Sequence, residues 1–199
     1  TGSLISLVQA GYKLRILDFD NLLEILGYLI REKCPELIGN VDFRTVRDKR
    51  KMSDGGPIID GSPTAFTRGM KLLDRWKYLE GDKTVDLGVP ATWGKETVLV
   101  VDSLSRLCDA AYDWRFPLTK HDDNRATFFD AQNAIEDVLA TLTAKTFRCN
   151  VIVIAHVLYQ NQPDGTLKGF PQGVGQKLSP KIPQYFPSVV LYQNIGGKR

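Results

Sequence analysis

The sequence predicts an α/β fold in three layers, with helices on both faces of a mainly parallel sheet. Three observations carry this expectation. Residues 98–101 (Val-Leu-Val-Val) form an apolar run too short for a helix and without the polar alternation of a half-exposed strand. Such a run reads as a strand buried on both faces. Residues 151–155 repeat the pattern, and segments of helical period lie between the apolar runs. Strands alternating with helices give parallel pairing through crossover connections.

Taken in order, residues 1–10 spread Leu4, Ile5, Leu7 and Val8 in a helix-like way, and Gly11 suits the position just past a helix end. Leu14, Ile16 and Leu17 predict a strand running into the acids Asp18 and Asp20. Leu22, Leu23, Leu26, Leu29 and Ile30 predict a helix over 22–33, which Pro35 limits. Residues 41–46 alternate as a strand, and 48–61, charged and glycine-rich, read as an exposed loop or hairpin. Phe66, Met70, Leu73 and Lys77 share a helical face, which predicts a helix over 64–79, with loop from 81 to 95. Helices are expected at 104–114 and 124–146, the latter with Phe128, Ala131, Ile135, Val138 and Leu142 in register. Residues 159–176 hold Gly165, Gly169, Gly173 and Gly175 with Pro163 and Pro171, and read as a long functional loop. Residues 188–193 predict a last strand.

The chain has 199 residues, 43% hydrophobic and 25% charged, with a net charge of +3. These values suit one globular domain and permit a nucleic-acid partner without arguing strongly for one. Cys34, Cys108 and Cys149 are widely spaced, with no CxxC pair and no matching histidines, which points to a reducing compartment and against a zinc site. No apolar run approaches the roughly 18 residues of a membrane helix. A cytoplasmic location and no membrane partner are expected.

Asp102 ends the strand over 98–101 and Ser103 follows it. In an open α/β sheet ligands sit at the carboxyl ends of strands, so an acid there faces a binding crevice. This is the shape of a Walker B segment, whose Asp holds Mg²⁺; it is equally the shape of a strand-ending Asp that caps the next helix.

Thr1-Gly2-Ser3 at the head of a helix, LDFDN at 17–21, VLVVDS at 98–103 and VIVIAH at 151–156 follow an order and spacing that resemble the RecA-like P-loop ATPase core. The pattern is most similar to the phage-encoded RecA-like ATPases associated with recombination and single-strand annealing. The segment GVGQKLSPKIPQYFPSVV at 173–190 resembles that group as well. The resemblance implies one RecA-like domain over 1–199, an ATP site and Mg²⁺. A P-loop needs GxxxxGK[ST]. On the resemblance Thr1 is its final hydroxyl residue, and the first strand, the glycines and the lysine lie before it.

The resemblance also implies roles. Thr1, Gly2, Ser3, Asp102 and Ser103 bind the nucleotide, with Thr1 and Asp102 on the metal. Asp20 stands where the family places a Glu that activates water, one methylene shorter here; Asp18 and Asp20 also suit capping of the following helix. His156 takes the position of a polar residue that senses the γ-phosphate, although a strand-end His is commonly a plain hydrogen-bonding group. Lys168, Phe170, Lys177 and Lys181 suit single-stranded DNA, by phosphate pairing and base stacking, or simple solvation. The basic run Arg44, Arg47, Lys49, Arg50 and Lys51 is diluted by Asp42, Asp48 and Asp54 and reads as a solvated face. Lys198 and Arg199 suit the ATP of a neighbouring subunit in a homo-oligomer, and a recombination or single-strand-binding protein is an implied partner. The expected function is an ATP-dependent DNA-binding ATPase of phage recombination, repair or replication. The alternative is a non-hydrolysing nucleotide-binding or structural DNA-binding module.

Overall fold

The structure is a computed structural model that describes residues 2–118 and 124–192. Thr1, Lys198, Arg199 and the end of the expected last strand at Gln193 lie outside the described residues. In chain order the elements are α1 (Ile5–Gln9), β1 (Lys13–Asp18), α2 (Glu24–Lys33), β2 (Val41–Thr45), β3 (Arg50–Ser53), β4 (Gly56–Ile59), α3 (Ala65–Asp74) and β5 (Lys77–Glu80). They continue as β6 (Lys83–Asp86), β7 (Thr97–Asp102), α4 (Leu104–Arg115), α5 (Asn124–Leu142), β8 (Asn150–Ile154), β9 (Val157–Asn161), β10 (Leu167–Pro171) and α6 (Gly175–Leu178).

The core is a four-stranded sheet in the order β2-β1-β7-β8, with every neighbouring pair parallel. Strand alternation sends side chains to opposite faces. Leu14, Ile16, Val98 and Val100 therefore pack with Leu4, Val8, Leu26 and Ile30 of the α1–α2 side. Leu17, Leu99 and Val101 pack instead with Phe66, Leu107, Ile135 and Leu139 of α3, α4 and α5. All six residues of β7 are buried, as its apolar run predicts for the middle of a doubly covered sheet.

Several boundaries and classes differ from the sequence reading. The helix expected over 64–79 stops at Asp74, where Arg75 turns extended (φ −145°, ψ 121°) and lets Trp76 become fully buried. The Trp76 N–H then bonds Gly88 O, and β5 and β6 pair across a turn at Gly81 (φ +59°) within the span read as loop from 81 to 95. The expected loop over 159–176 is largely a hairpin of β9 and β10, closed by the turn around Gly165 (φ +80°). Its glycines mark turns and close packing: a Cβ at Gly169 would meet the Tyr159 ring at 3.3 Å. Residues 188–192 form no strand, and Val189, Val190 and Tyr192 stand exposed. The hairpin expected within 48–61 is present as β3 and β4. Among the described residues no helix is long and apolar enough to cross a membrane.

Candidate functional site

The strand order puts a topological switch point between β1 and β7. β1 leads through α2 to β2 on one side, whereas β7 leads through α4 and α5 to β8 on the other. At such a point the connections diverge and leave a crevice outside the carboxyl ends of the strands.

Asp18 and Asp102 are paired in register at that edge. Asp18 is 1% exposed, and its carboxylate accepts from the N–H groups of Asp20 (3.0 Å) and Asn21 (2.7 Å) and from Thr45 Oγ1 (2.8 Å). It thus shapes the turn after β1, in which Asn21 takes φ +60°. Neither Asp18 nor Asp20 caps α2, which begins after Leu23 with no side-chain cap; the capping reading of these acids is corrected. The backbone of the turn bends toward β7, with the Phe19 and Asp20 N–H groups bonding Asp102 O at 2.6 and 3.3 Å.

That bend brings Asp20 beside groups far away in sequence. One carboxylate oxygen, Oδ2, lies 3.4 Å from His156 Nε2, at the end of β8. The other accepts from Arg106 Nε at 3.3 Å, and Arg106 also reaches Asp109 at 2.9 Å. Asp109, and after it Asp20, hold the Arg106 guanidinium more firmly protonated than usual. The Asp20 side chain is only 8% exposed, whereas those of His156 and Arg106 are about half exposed. The Asp20 carboxylate is thus nearly buried and held in one orientation between an imidazole and a guanidinium.

The α4 helix begins at this edge because Ser103, not Asp102, is its cap: Ser103 Oγ accepts the Arg106 N–H at 3.3 Å. The helix-cap reading of Asp102 is thereby replaced. Asp102 is 4% exposed, and the Asp102–Ser103 peptide is cis. Among the described residues no group of three His, Cys, Asp or Glu side chains is placed to hold a metal by itself. A Mg²⁺ carried on phosphates needs only one or two protein carboxylates; Asp102 is the carboxylate that ends β7, while the fully buried Ser103 hydroxyl serves the α4 cap.

Of the expected site residues, Asp20, Asp102, Ser103 and His156 meet at this edge. Gly2 and Ser3 lie in a short 3₁₀ turn at the head of α1; a Cβ on Gly2 would meet Leu29 of α2, and Ser3 O accepts from Ser6 Oγ. Lys168 and Phe170 stand on β10, the ammonium 5.4 Å from the ring centre. Lys177 is on α6, and Lys181 is paired with Glu136 of α5 at 2.8 Å. In the basic run from β2 to β3, Arg44 is tied to Asp42, Arg50 to Asp113 and Lys51 to Asp60. Arg106 and Asp109 escaped the sequence reading. Their only signal was their place in the first turns of the helix after Asp102. Comparison of the chain with protein-family models, curated proteins and solved structures gives no match.

Proposed function

We propose that this chain is a RecA-like, Mg²⁺-dependent ATPase that acts with single-stranded DNA in phage recombination, repair or replication. The observation that carries the proposal is the meeting of Asp20, Asp102 and His156 at the switch point of a parallel sheet. Strand-end acids at that location are where an α/β protein handles a phosphorylated ligand.

In this reading Asp102 and the Thr1 hydroxyl hold the metal, which neutralises charge on the phosphate oxygens when bound. Asp20 takes the proton of the attacking water. His156 and Arg106 keep the Asp20 carboxylate in one orientation, and His156 follows the state of the γ-phosphate from the head of the hairpin. Lys168, Phe170 and Lys177 meet DNA phosphates and bases, with a smaller share for Lys181 because Glu136 already engages it. Assembly into a homo-oligomer brings Lys198 and Arg199 to a neighbour's ATP, and a recombination or single-strand-binding protein is the expected further partner.

A second reading has its own observation. Both Asp20 oxygens are engaged, by Arg106 and His156, which favours a site that binds nucleotide without turning it over. Phosphate release from Mg-ATP by the full protein, with and without single-stranded DNA, separates the two. DNA-raised release that Asp102→Asn abolishes supports the ATPase. Release untouched by Asp102→Asn overturns the role of Asp102, and no release under either condition selects the binding module.

A further inference from the structure

The hairpin of β9 and β10 leaves the sheet edge directly after His156, and one side chain closes its neck. Ser105, in the first turn of α4, is 3% exposed. Its Oγ accepts the His156 N–H at 3.0 Å and donates to the Gln172 carbonyl at 3.3 Å. The Gln172 N–H in turn bonds His156 O at 2.8 Å. These bonds form a closed ring joining both ends of the hairpin to α4. A hydroxyl can accept from one strand and donate to the other with a single atom. The same His156 reaches Asp20 with its imidazole, and α4 is capped by Ser103 beside Asp102.

We infer that Ser105 is a positioning residue that couples the acid cluster at the switch point to the hairpin. A shift of His156 on Asp20 changes the backbone at residue 156, and the Ser105 hydroxyl, bonded to both His156 and Gln172, ties that shift to α4, so the neck of the hairpin and the helix after Asp102 move together. Without it the neck of the hairpin, still closed by the Gln172–His156 bond, loses its tie to α4, and the hairpin orientation no longer follows the state of Asp20. The inference rests on the ATPase reading for what the hairpin grips, but the mechanical link stands on geometry alone.

The test uses the full protein with Ser105→Ala, and with Ser105→Thr as the variant that keeps the hydroxyl. Amide hydrogen exchange is read first, without ligand. Ser105→Ala is expected to speed exchange over 156–172 by about tenfold while α5 is unchanged, as a local opening does. Phosphate release is read second: the ratio of DNA-stimulated to basal rate falls toward one in Ser105→Ala, and Ser105→Thr restores the ratio. Unchanged hairpin protection in a folded Ser105→Ala protein overturns the link, as does a retained stimulation ratio. A wild-type protein that never hydrolyses ATP defeats the ATPase reading instead, and the exchange result then decides the link by itself.

Discussion

Asp18 and Asp102 are register partners at the last rung between β1 and β7, and the fold uses them differently. Asp18 is saturated by two backbone N–H groups and the Thr45 hydroxyl, and it builds the turn that presents Asp20. Asp18→Ala leaves those donors without their acceptor in a buried place. It should lower stability by about 1–3 kcal/mol, measured by urea unfolding. Asp102→Asn should instead keep the circular dichroism spectrum and lower phosphate release on the order of 10²-fold, the scale of one lost electrostatic contact to a reacting phosphate.

Asp20 Oδ2 and His156 Nε2 lie 3.4 Å apart, and in the proposed ATPase they serve one proton transfer, so their effects should not add. Asp20→Ala should slow phosphate release by about 10²–10⁴-fold, the usual worth of a general base. His156→Ala should cost less, and the double variant should be no slower than Asp20→Ala, because residues that work as a unit are non-additive. Single-turnover rates on the three variants check this; additive losses would separate the two roles.

Gly69 of α3 makes room for Phe19, the residue between the two acids of the turn. A Cβ at Gly69 would come within 2.7 Å of Phe19 Cζ, and Phe19 is 2% exposed. Gly69→Ala gains helix propensity, about 1 kcal/mol, against an overpacking cost of about 1–3 kcal/mol. The expected net is a modest loss of stability in thermal unfolding, together with reduced phosphate release, since Phe19 cannot shift without moving Asp20.

Asp42 on β2 anchors the β5–β6 hairpin. It accepts from the buried Trp76 indole at 3.0 Å and from the Tyr78 hydroxyl, while Arg44 lies over the Tyr78 ring. Burial, and then the Asp42 bond, push the Tyr78 phenol up to about 12. The native state therefore holds that proton more tightly than the unfolded chain, whose phenol titrates near its ordinary value of about 10. The Tyr78 contribution to stability is present below pH 10 and is lost as pH rises from about 10 toward 12. Urea unfolding at increasing alkaline pH should show wild-type stability falling toward that of Tyr78→Phe; a constant difference would contradict the assignment.

The sheet was legible because its signals are local. A run such as 98–101 can satisfy neither a helix nor a half-exposed strand, so the central strand ending at Asp102 followed directly, whereas Asp20 and His156 lie two residues beyond the ends of β1 and β8. Glycine content misled at 159–176, where Gly165 serves a turn and Gly169 a close contact inside a hairpin. Helical period misled at 75–79, where burial of Trp76 outweighed the continuing pattern.

The sequence by itself determined the class of fold, the buried strands and the acids at their ends, because periodicity and burial are properties of short segments. Only the tertiary structure decided that Asp18 is saturated by two N–H groups and a hydroxyl while Asp20 is set between Arg106 and His156. It also decided that Arg106 reaches Asp20 across 86 positions and that Ser105 ties His156 to Gln172 across the neck of the hairpin. These pairings depend on strand order, register and the direction of each crossover, and on hydrogen bonds between groups that nothing in the local pattern brings together.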